Sequence, residues 1–491
     1  MSEIADFALV LVLATAGFAL AVLSTKLTER VPVPTPALFL AAAALASDVW
    51  PSLYRHVPVH TVERVAVVAL IVILFNGGMD VGWRRFRTAA APIVALGIVG
   101  TFATAAVVAL VAHYLLGLGW TLSGIVAAAL SPTDPAVMFS VLGRQEIGGR
   151  SGAVLEGEAG VNDPAGIALM LGMIEFATHA DASFLVVVRE FAVELAVGTA
   201  AGVVGAFVLV WLLRRIDLAS EGLYPVLALV LAGLLYGATA LAHGSGFLAV
   251  FIAGLALGDA PTPYKGEIER FHTSLASLAE LTVFVALGLT VKIGSLSGPI
   301  WLEGVVLLLA LALLARPLAV AALLAPFRLR PGERAFIAWS GLKGAVPILL
   351  AAFAVLDQVD RAGHVYGLVF VVVLLSVVGQ GTLLPLVAAA LRVPVRERTP
   401  LPWELSVRLA RQPHGAHEFV VRRGSRADDS LIRELPLGPN AWLTLVVRSG
   451  SAIPPAGSLR LQADDRVLVL ADPDKLATLD ELFSRPAGKN R

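Results

Sequence analysis

One pattern recurs over about the first four-fifths of the chain: an apolar run of helix length, a short polar or Gly/Pro break, then another run. Thirteen runs are legible, at about 4–24, 33–47, 62–80, 91–116, 119–142, 151–177, 185–213, 222–241, 246–258, 271–290, 299–325, 334–355 and 364–391. A bilayer's hydrocarbon core takes about 20 apolar residues per helix. Only helices and closed barrels satisfy their backbone there, and runs of this length favour helices. The expected fold is an all-α polytopic membrane protein. Its shortest runs, 33–47 and 246–258, are the weakest as full crossings. The acidic start M-S-E-I-A-D lacks a basic n-region, so the first run reads as a retained helix and not as a signal peptide.

Charge marks where the membrane body ends. From Glu404 to Arg491, 24 of 88 residues are charged, against 50 of the preceding 403. The expected organisation is therefore a membrane body at 1–392, a Pro- and Arg-bearing linker at 393–402 and a soluble domain at 403–491. Within that domain E-F-V-V, W-L-T-L-V-V and R-V-L-V-L read as strands, and Ser430 to Leu435 and Lys475 to Phe483 as helical, which predicts a small α+β unit. Net charge is zero, so no bulk attraction to nucleic acid is expected. Cysteine is absent, which excludes disulfides and thiolate chemistry.

Orientation follows from the basic residues, because cytoplasmic loops keep Lys and Arg. One set of alternate loops holds 17 of them and the other set 5. This bias predicts an outside N-terminus and a cytoplasmic tail.

Charges inside the hydrocarbon are costly and mark ion paths or ion pairs. The run at 151–177 carries Glu156, Glu158, Asn162 and Asp163. Glu158 and Asn162 share one helical face, with Asp163 the next position round. Pro164 is expected to free a carbonyl one turn earlier, in position to face a cation. S-P-T-D-P at Ser131 to Pro135 and G-L-K-G-A-V-P at Gly341 to Pro347 each predict a helix broken in mid-membrane. With 185–213 as a connector, both breaks fall on the fifth helix of two inverted sets of six, the sequence pointer to a transporter's substrate site. Glu158 is the expected partner of Lys343. Glu280 and Arg316 lie at matching depths and are expected to neutralise each other as a structural pair.

These residues resemble the monovalent cation/proton antiporters of the Na+/H+ exchanger superfamily, particularly the NhaP-like potassium/proton antiporters. The motifs are T-D-P at Thr133 to Pro135, E-G-E-x3-N-D at Glu156 to Asp163, and W-S-G-L-K-G-A-V-P at Trp339 to Pro347. The resemblance implies that Asp163 binds cation and proton in turn, that Asn162 orients the site, and that Thr133 and Asp134 contribute where the broken helices cross. Arg316 matches a recurrent family arginine. The chain departs from its relatives at Lys343, where Arg is frequent, at Asn76, near which an acid is common, and at Ala159, where relatives can have a hydroxyl. The tail resembles the C-terminal subdomain of RCK/TrkA-type regulators, in D-S-L-I-R-E-L-P-L and Q-A-D-D-R-V-L-V-L, without its nucleotide-binding half.

The function this implies is electroneutral exchange of K+, or alternatively Na+ or Li+, for H+. The implied setting is a bacterial inner membrane, as a homodimer; for the tail, binding of a small regulatory ligand and a passive stabilising role both stay open. No cofactor, and no metal beyond the transported cation, is expected. A gated cation channel is the rival from another class, and no pore-loop filter or acidic ring supports it. Neither H-E-x-x-H nor G-x-S-x-G is present, so enzymatic activity is not expected.

Overall fold

The computed structural model describes residues 15, 34–50, 58–142, 145–147, 149–179, 184–397, 415–438, 441–448, 451–472 and 475–484. They divide into two compact units, one drawn from 1–260 and 266–399, the other from 261–265 and 400–491. The expected first span, 4–24, lies outside the described residues apart from Thr15.

In the larger unit each later apolar run has become a helix or a broken pair of helices. The first are α1 (Thr35–Val49), α2 (Val59–Val81) and the short surface helix α3 (Trp83–Thr88). The next long helix, α4, runs from Ala90 to Tyr114. The fifth run is split into α5 (Trp120–Leu130) and α6 (Pro135–Leu142). There follow α7 (Gly149–Thr178), α8 (Phe184–Arg215), α9 (Leu223–Leu241), α10 (Gly246–Asp259) and α11 (Lys265–Leu289). After α12 (Gly298–Leu323), the twelfth run is split into α13 (Pro331–Trp339) and α14 (Ala345–Leu356). The last is α15 (Ala362–Gly381), followed by the short α16 (Leu384–Ala390).

Seven of the described helices are long and apolar enough to cross a membrane. The short α1 and α10 are apolar as well. The helix α7, with Glu158 and Asp163 buried and Glu156 paired to the exposed Arg85, is long but charged. It continues through Pro164 without interruption. Large apolar side chains on α4, α8, α9 and α12, among them Leu110, Phe207, Leu234 and Leu309, are exposed, as lipid-facing surfaces require. By contrast Leu368–Val373 of α15 are wholly enclosed.

Pro317 cannot donate to a carbonyl one turn back, and α12 meets this with a π-turn at Leu311–Ala315 directly before Arg316. Further π-turns lie at Ala95–Gly100 in α4 and Ser376–Gly381 in α15. Two short strands, β1 (Gln145–Ile147) and β2 (Val395–Glu397), pair antiparallel. The second falls inside the expected linker at 393–402, so the backbone there is paired to the larger unit up to Glu397.

In the smaller unit the strands are β3 (Ala416–Val420), β4 (Ala441–Arg448), β5 (Ser451–Ile453) and β6 (Arg466–Ala471), all antiparallel in the order β3-β6-β4-β5. Along β6 buried and half-buried residues alternate. Its inward valines, with Phe419, Val446 and Leu479, Leu482 and Phe483 of α17 (Leu476–Phe483), form one core. The expected helix at Ser430 to Leu435 is instead a single 3-10 turn, Ile432–Glu434. Six residues closed by Pro436 are too few to offset helix nucleation, and Leu431 is held extended by a bridge to Arg460.

Asp465 is buried and takes both arms of Arg448, each at 2.8 Å, together with the Gln462 N–H at 2.8 Å. The paired carboxylate raises the Arg448 guanidinium above its ordinary range. Arg448→Ala therefore strands a buried carboxylate. We expect the smaller unit to lose about 2–3 kcal/mol, at the low end for a broken pair because Arg448 is partly exposed. Limited proteolysis of the full chain in membranes checks this: the tail should be released faster while the membrane body stays protected.

Candidate functional site

The two broken helices meet. The helix α5 stops ahead of Pro132, and α6 restarts at Pro135, where a missing N–H costs nothing. Between them the Asp134 N–H donates to the Leu342 carbonyl, 2.9 Å away, in the break between α13 and α14. In return Lys343 Nζ donates to the carbonyls of Ser131 (3.2 Å) and Pro132 (2.8 Å). These carbonyls lie at the negative C-terminal end of α5, where a cation is favoured. The Asp134 side chain lies against Gly344, at the positive N-terminal end of α14, and a Cβ at 344 would overlap its carboxylate. Each break thus neutralises a helix end exposed by the other.

A third helix holds the arrangement. The Lys343 N–H donates to Ser376 Oγ (3.1 Å), Ser376 Oγ donates to Gln380 Oε1 (3.2 Å), and Gln380 Nε2 donates to the Trp339 carbonyl (2.5 Å). Ser376 and Gln380 lie in the π-turn of α15.

The helix α7 crosses beside this junction. Asn162 Nδ2 donates to Thr133 Oγ1 at 2.7 Å, which fixes the polar face of α7 to the first break. Asn162 and Asp163 are 1% and 6% exposed. Neither Asn162 Oδ1 nor Asp163 Oδ1 has a hydrogen-bond partner among the described residues. One turn earlier Glu158 is gripped by Arg316 in a two-pronged pair of 2.5 and 2.7 Å, with both side chains buried. The π-turn that accommodates Pro317 immediately precedes this arginine.

Asp163 and Asp134 line a cavity. Its walls are otherwise apolar: Ala66, Leu70 and Ile73 of α2, Val283 and Phe284 of α11, and Ala345, Val346 and Leu349 of α14. The remaining polar group in the lining is Glu280 of α11. Apolar walls lower the local polarity, so charges facing the cavity act on one another and on a bound ion with less screening than in bulk water.

The structure brings Thr133, Asp134, Asn162, Asp163 and Lys343 together as expected, and revises the ion pairs. Lys343 does not bind Glu158; its ammonium donates to carbonyls, and Arg316 takes Glu158. Glu280 does not neutralise Arg316, whose paired nitrogens are spent on Glu158, and faces the cavity instead. Depth along a helix places these groups in one layer, but the azimuth that decides pairing depends on how the helices pack. Asn76 lies outside the cavity lining. It donates to Asp80 (2.8 Å) and accepts from Thr273 (3.3 Å), tying α2 to α11. Ser376 and Gln380 were not anticipated. Their signal was two polar residues at i,i+4 within an apolar span.

Residues 12–390 match the family model described as sodium/hydrogen exchanger, transmembrane, and 416–484 match the TrkA-C domain. The K(+)/H(+) antiporter NhaP2 of Shewanella sp. strain MR-4 is 32% identical over 95% of this chain and 82% of its own length. The K(+)/H(+) antiporter NhaP of Alkalimonas amylolytica is 34% identical over 77% of this chain and 66% of its own. The Na(+)/H(+) antiporter NhaH of Halobacillus dabanensis is 26% identical over 68% of this chain and 85% of its own. Among solved structures, the sodium proton antiporter MjNhaP1 of Methanocaldococcus jannaschii superposes with a TM-score of 0.67 at 22% identity, over 79% of this chain and 99% of its own.

Two outcomes are expected at this site. Gly344→Ala puts a methyl where the Asp134 carboxylate lies, so the crossing must open; thermal unfolding in detergent should begin several degrees lower, whereas Gly363→Ala, in open space, should change nothing. Glu158→Leu or Arg316→Met alone leaves a buried charge unpaired and should cost about 3–5 kcal/mol, while the two together should recover most of it. The amount of folded protein extracted from membranes and its melting temperature check both. A double variant no better than either single one contradicts the pairing.

Proposed function

The chain belongs to the sodium/hydrogen exchanger family, and from that premise we propose that it is a secondary antiporter exchanging a monovalent cation, K+ in preference to Na+, for H+. The observation that carries this is Asp163: a buried carboxylate with an oxygen that has no partner among the described residues, facing a largely apolar-walled cavity at the crossing of two broken helices. The other charges at the junction have neighbours that use them. Glu158 is closed by Arg316, Lys343 is held by carbonyls, and Asp134 lies at the end of α14.

An un-neutralised carboxylate is costly to hold away from water. A proton neutralises Asp163, and so does a cation at its open oxygen, and a protonated Asp163 no longer presents the charge that holds the cation. Each passenger therefore displaces the other, and the site is least costly to close on one of them. Asn162, anchored through Thr133, has a side-chain carbonyl oxygen without a partner among the described residues, one position before Asp163. Exchange through Asp163 is one-for-one and electroneutral, driven by the ion gradients.

K+ is favoured by the similarity to proteins named K(+)/H(+) antiporters over most of the chain and by the TrkA-C match in the tail. The name of the Halobacillus relative keeps Na+ as the alternative. A channel is not favoured, since the relatives named above are antiporters. We assign transport to residues 1–392, with 393–402 as the connection, and regulation by a small ligand to 403–491. The basic-residue bias supports an outside N-terminus and a cytoplasmic tail in a bacterial inner membrane. Assembly as a homodimer is part of the same proposal.

Two measurements test this reading. In everted vesicles with a pH-sensitive dye, adding K+ should release protons, and Asp163→Asn should reduce the response to background without loss of membrane-inserted protein. Imposing a membrane potential should leave the wild-type rate unchanged. Exchange by Asp163→Asn at the wild-type rate overturns the site, and strong voltage dependence overturns the one-for-one stoichiometry.

A further inference from the structure

Glu280 is the interior carboxylate that neither the ion pair nor the helix crossing uses. It stands on α11, away from the broken helices in sequence, yet lines the same cavity as Asp163. Its Oε1 is buried and has no hydrogen-bond partner among the described residues. Asp163, 6% exposed, presents an open oxygen to the same space. Two carboxylates from different helices thus face one apolar-walled cavity, each with an unclaimed oxygen. A cation entering it sheds water and must be given oxygens in exchange. Of the polar groups lining the cavity, Asp134 is placed at the end of α14, which leaves Glu280 as the second side chain to meet the ion.

We propose that Glu280 is a second oxygen ligand of the transported cation, acting with Asp163 and setting how tightly each cation is held. This rests on the reading of Asp163 as the exchange site. In that arrangement Asp163 remains the group that trades proton for cation, and Glu280 adds affinity and discrimination. A structural role for Glu280 would instead show in the amount of folded protein and not in its cation affinity.

The test uses the full chain in everted vesicles, with K+ and Na+ titrated separately against dye-reported proton release. Glu280→Ala should raise the half-saturating cation concentration about tenfold or more while the maximal rate stays within about twofold, the signature of lost binding rather than lost turnover. Glu280→Gln, which keeps one oxygen without the charge, should fall between wild type and Glu280→Ala. The ratio of the K+ and Na+ half-saturating concentrations should also shift in Glu280→Ala. Asp163→Asn in the same vesicles separates the two readings. If it still exchanges, the site itself is misassigned. If it is inactive while Glu280→Ala keeps wild-type half-saturation for both cations, only the role of Glu280 falls. A Glu280→Ala protein with reduced yield and maximal rate but unchanged half-saturation likewise overturns the proposal in favour of a structural role.

Discussion

The structure depends on two interrupted helices completing each other. Backbone without partners costs several kcal/mol per group in hydrocarbon, so a single mid-membrane break would be hard to sustain. Here the Asp134 N–H finds the Leu342 carbonyl, and Lys343 finds the carbonyls of Ser131 and Pro132. The exchange is also electrostatic: an ammonium meets the negative end of α5, and a carboxylate lies against the positive end of α14. Glycine at 344 follows from this, since a side chain there would displace the Asp134 carboxylate.

Once the crossing is closed, the interior charges fall into distinct uses. Arg316 takes both carboxylate oxygens of Glu158, so the pair is near-neutral and fixes α12 to α7 without offering a carboxylate. Lys343 spends its ammonium on carbonyls and so is not a direct counter-ion for a carboxylate. This division leaves Asp163 open. Had Lys343 closed onto Asp163, the carboxylate would have been satisfied internally and an arriving cation would have had to break an ion pair first.

The helices and both breaks were legible in the sequence because their causes are local. Apolar run length sets the spans, and Pro132, Pro135, Gly341 and Gly344 set the interruptions. Strands in the tail were equally plain from alternation, as in β6. The pairing of charges was not legible. Glu158, Glu280, Arg316 and Lys343 could be ranked by depth, but which carboxylate meets which cation depends on rotation of α7, α11 and α12 about their own axes. The π-turn before Pro317 lies next to Arg316, and no spacing rule for an ideal helix includes it. For the same reason Glu280, expected to serve Arg316, was found facing the cavity.

The bonding pattern also divides the larger unit in a way that bears on transport. Hydrogen bonds and ion pairs join α7, α12, α13, α15 and the two breaks at the junction, through Thr133–Asn162, Glu158–Arg316, Lys343, Ser376 and Gln380–Trp339. Facing them across the cavity, α2 and α11 are joined to each other by Asn76 and Thr273 and present mainly alkyl and aromatic groups. Sliding apolar surfaces past one another costs far less than parting buried polar bonds. A movement that opens the cavity to one side of the membrane and then to the other therefore follows the seam between these two groups of helices. Asp163 lies on one side of that seam and Glu280 on the other, so a cation bound by both would tie the two groups together until it is released.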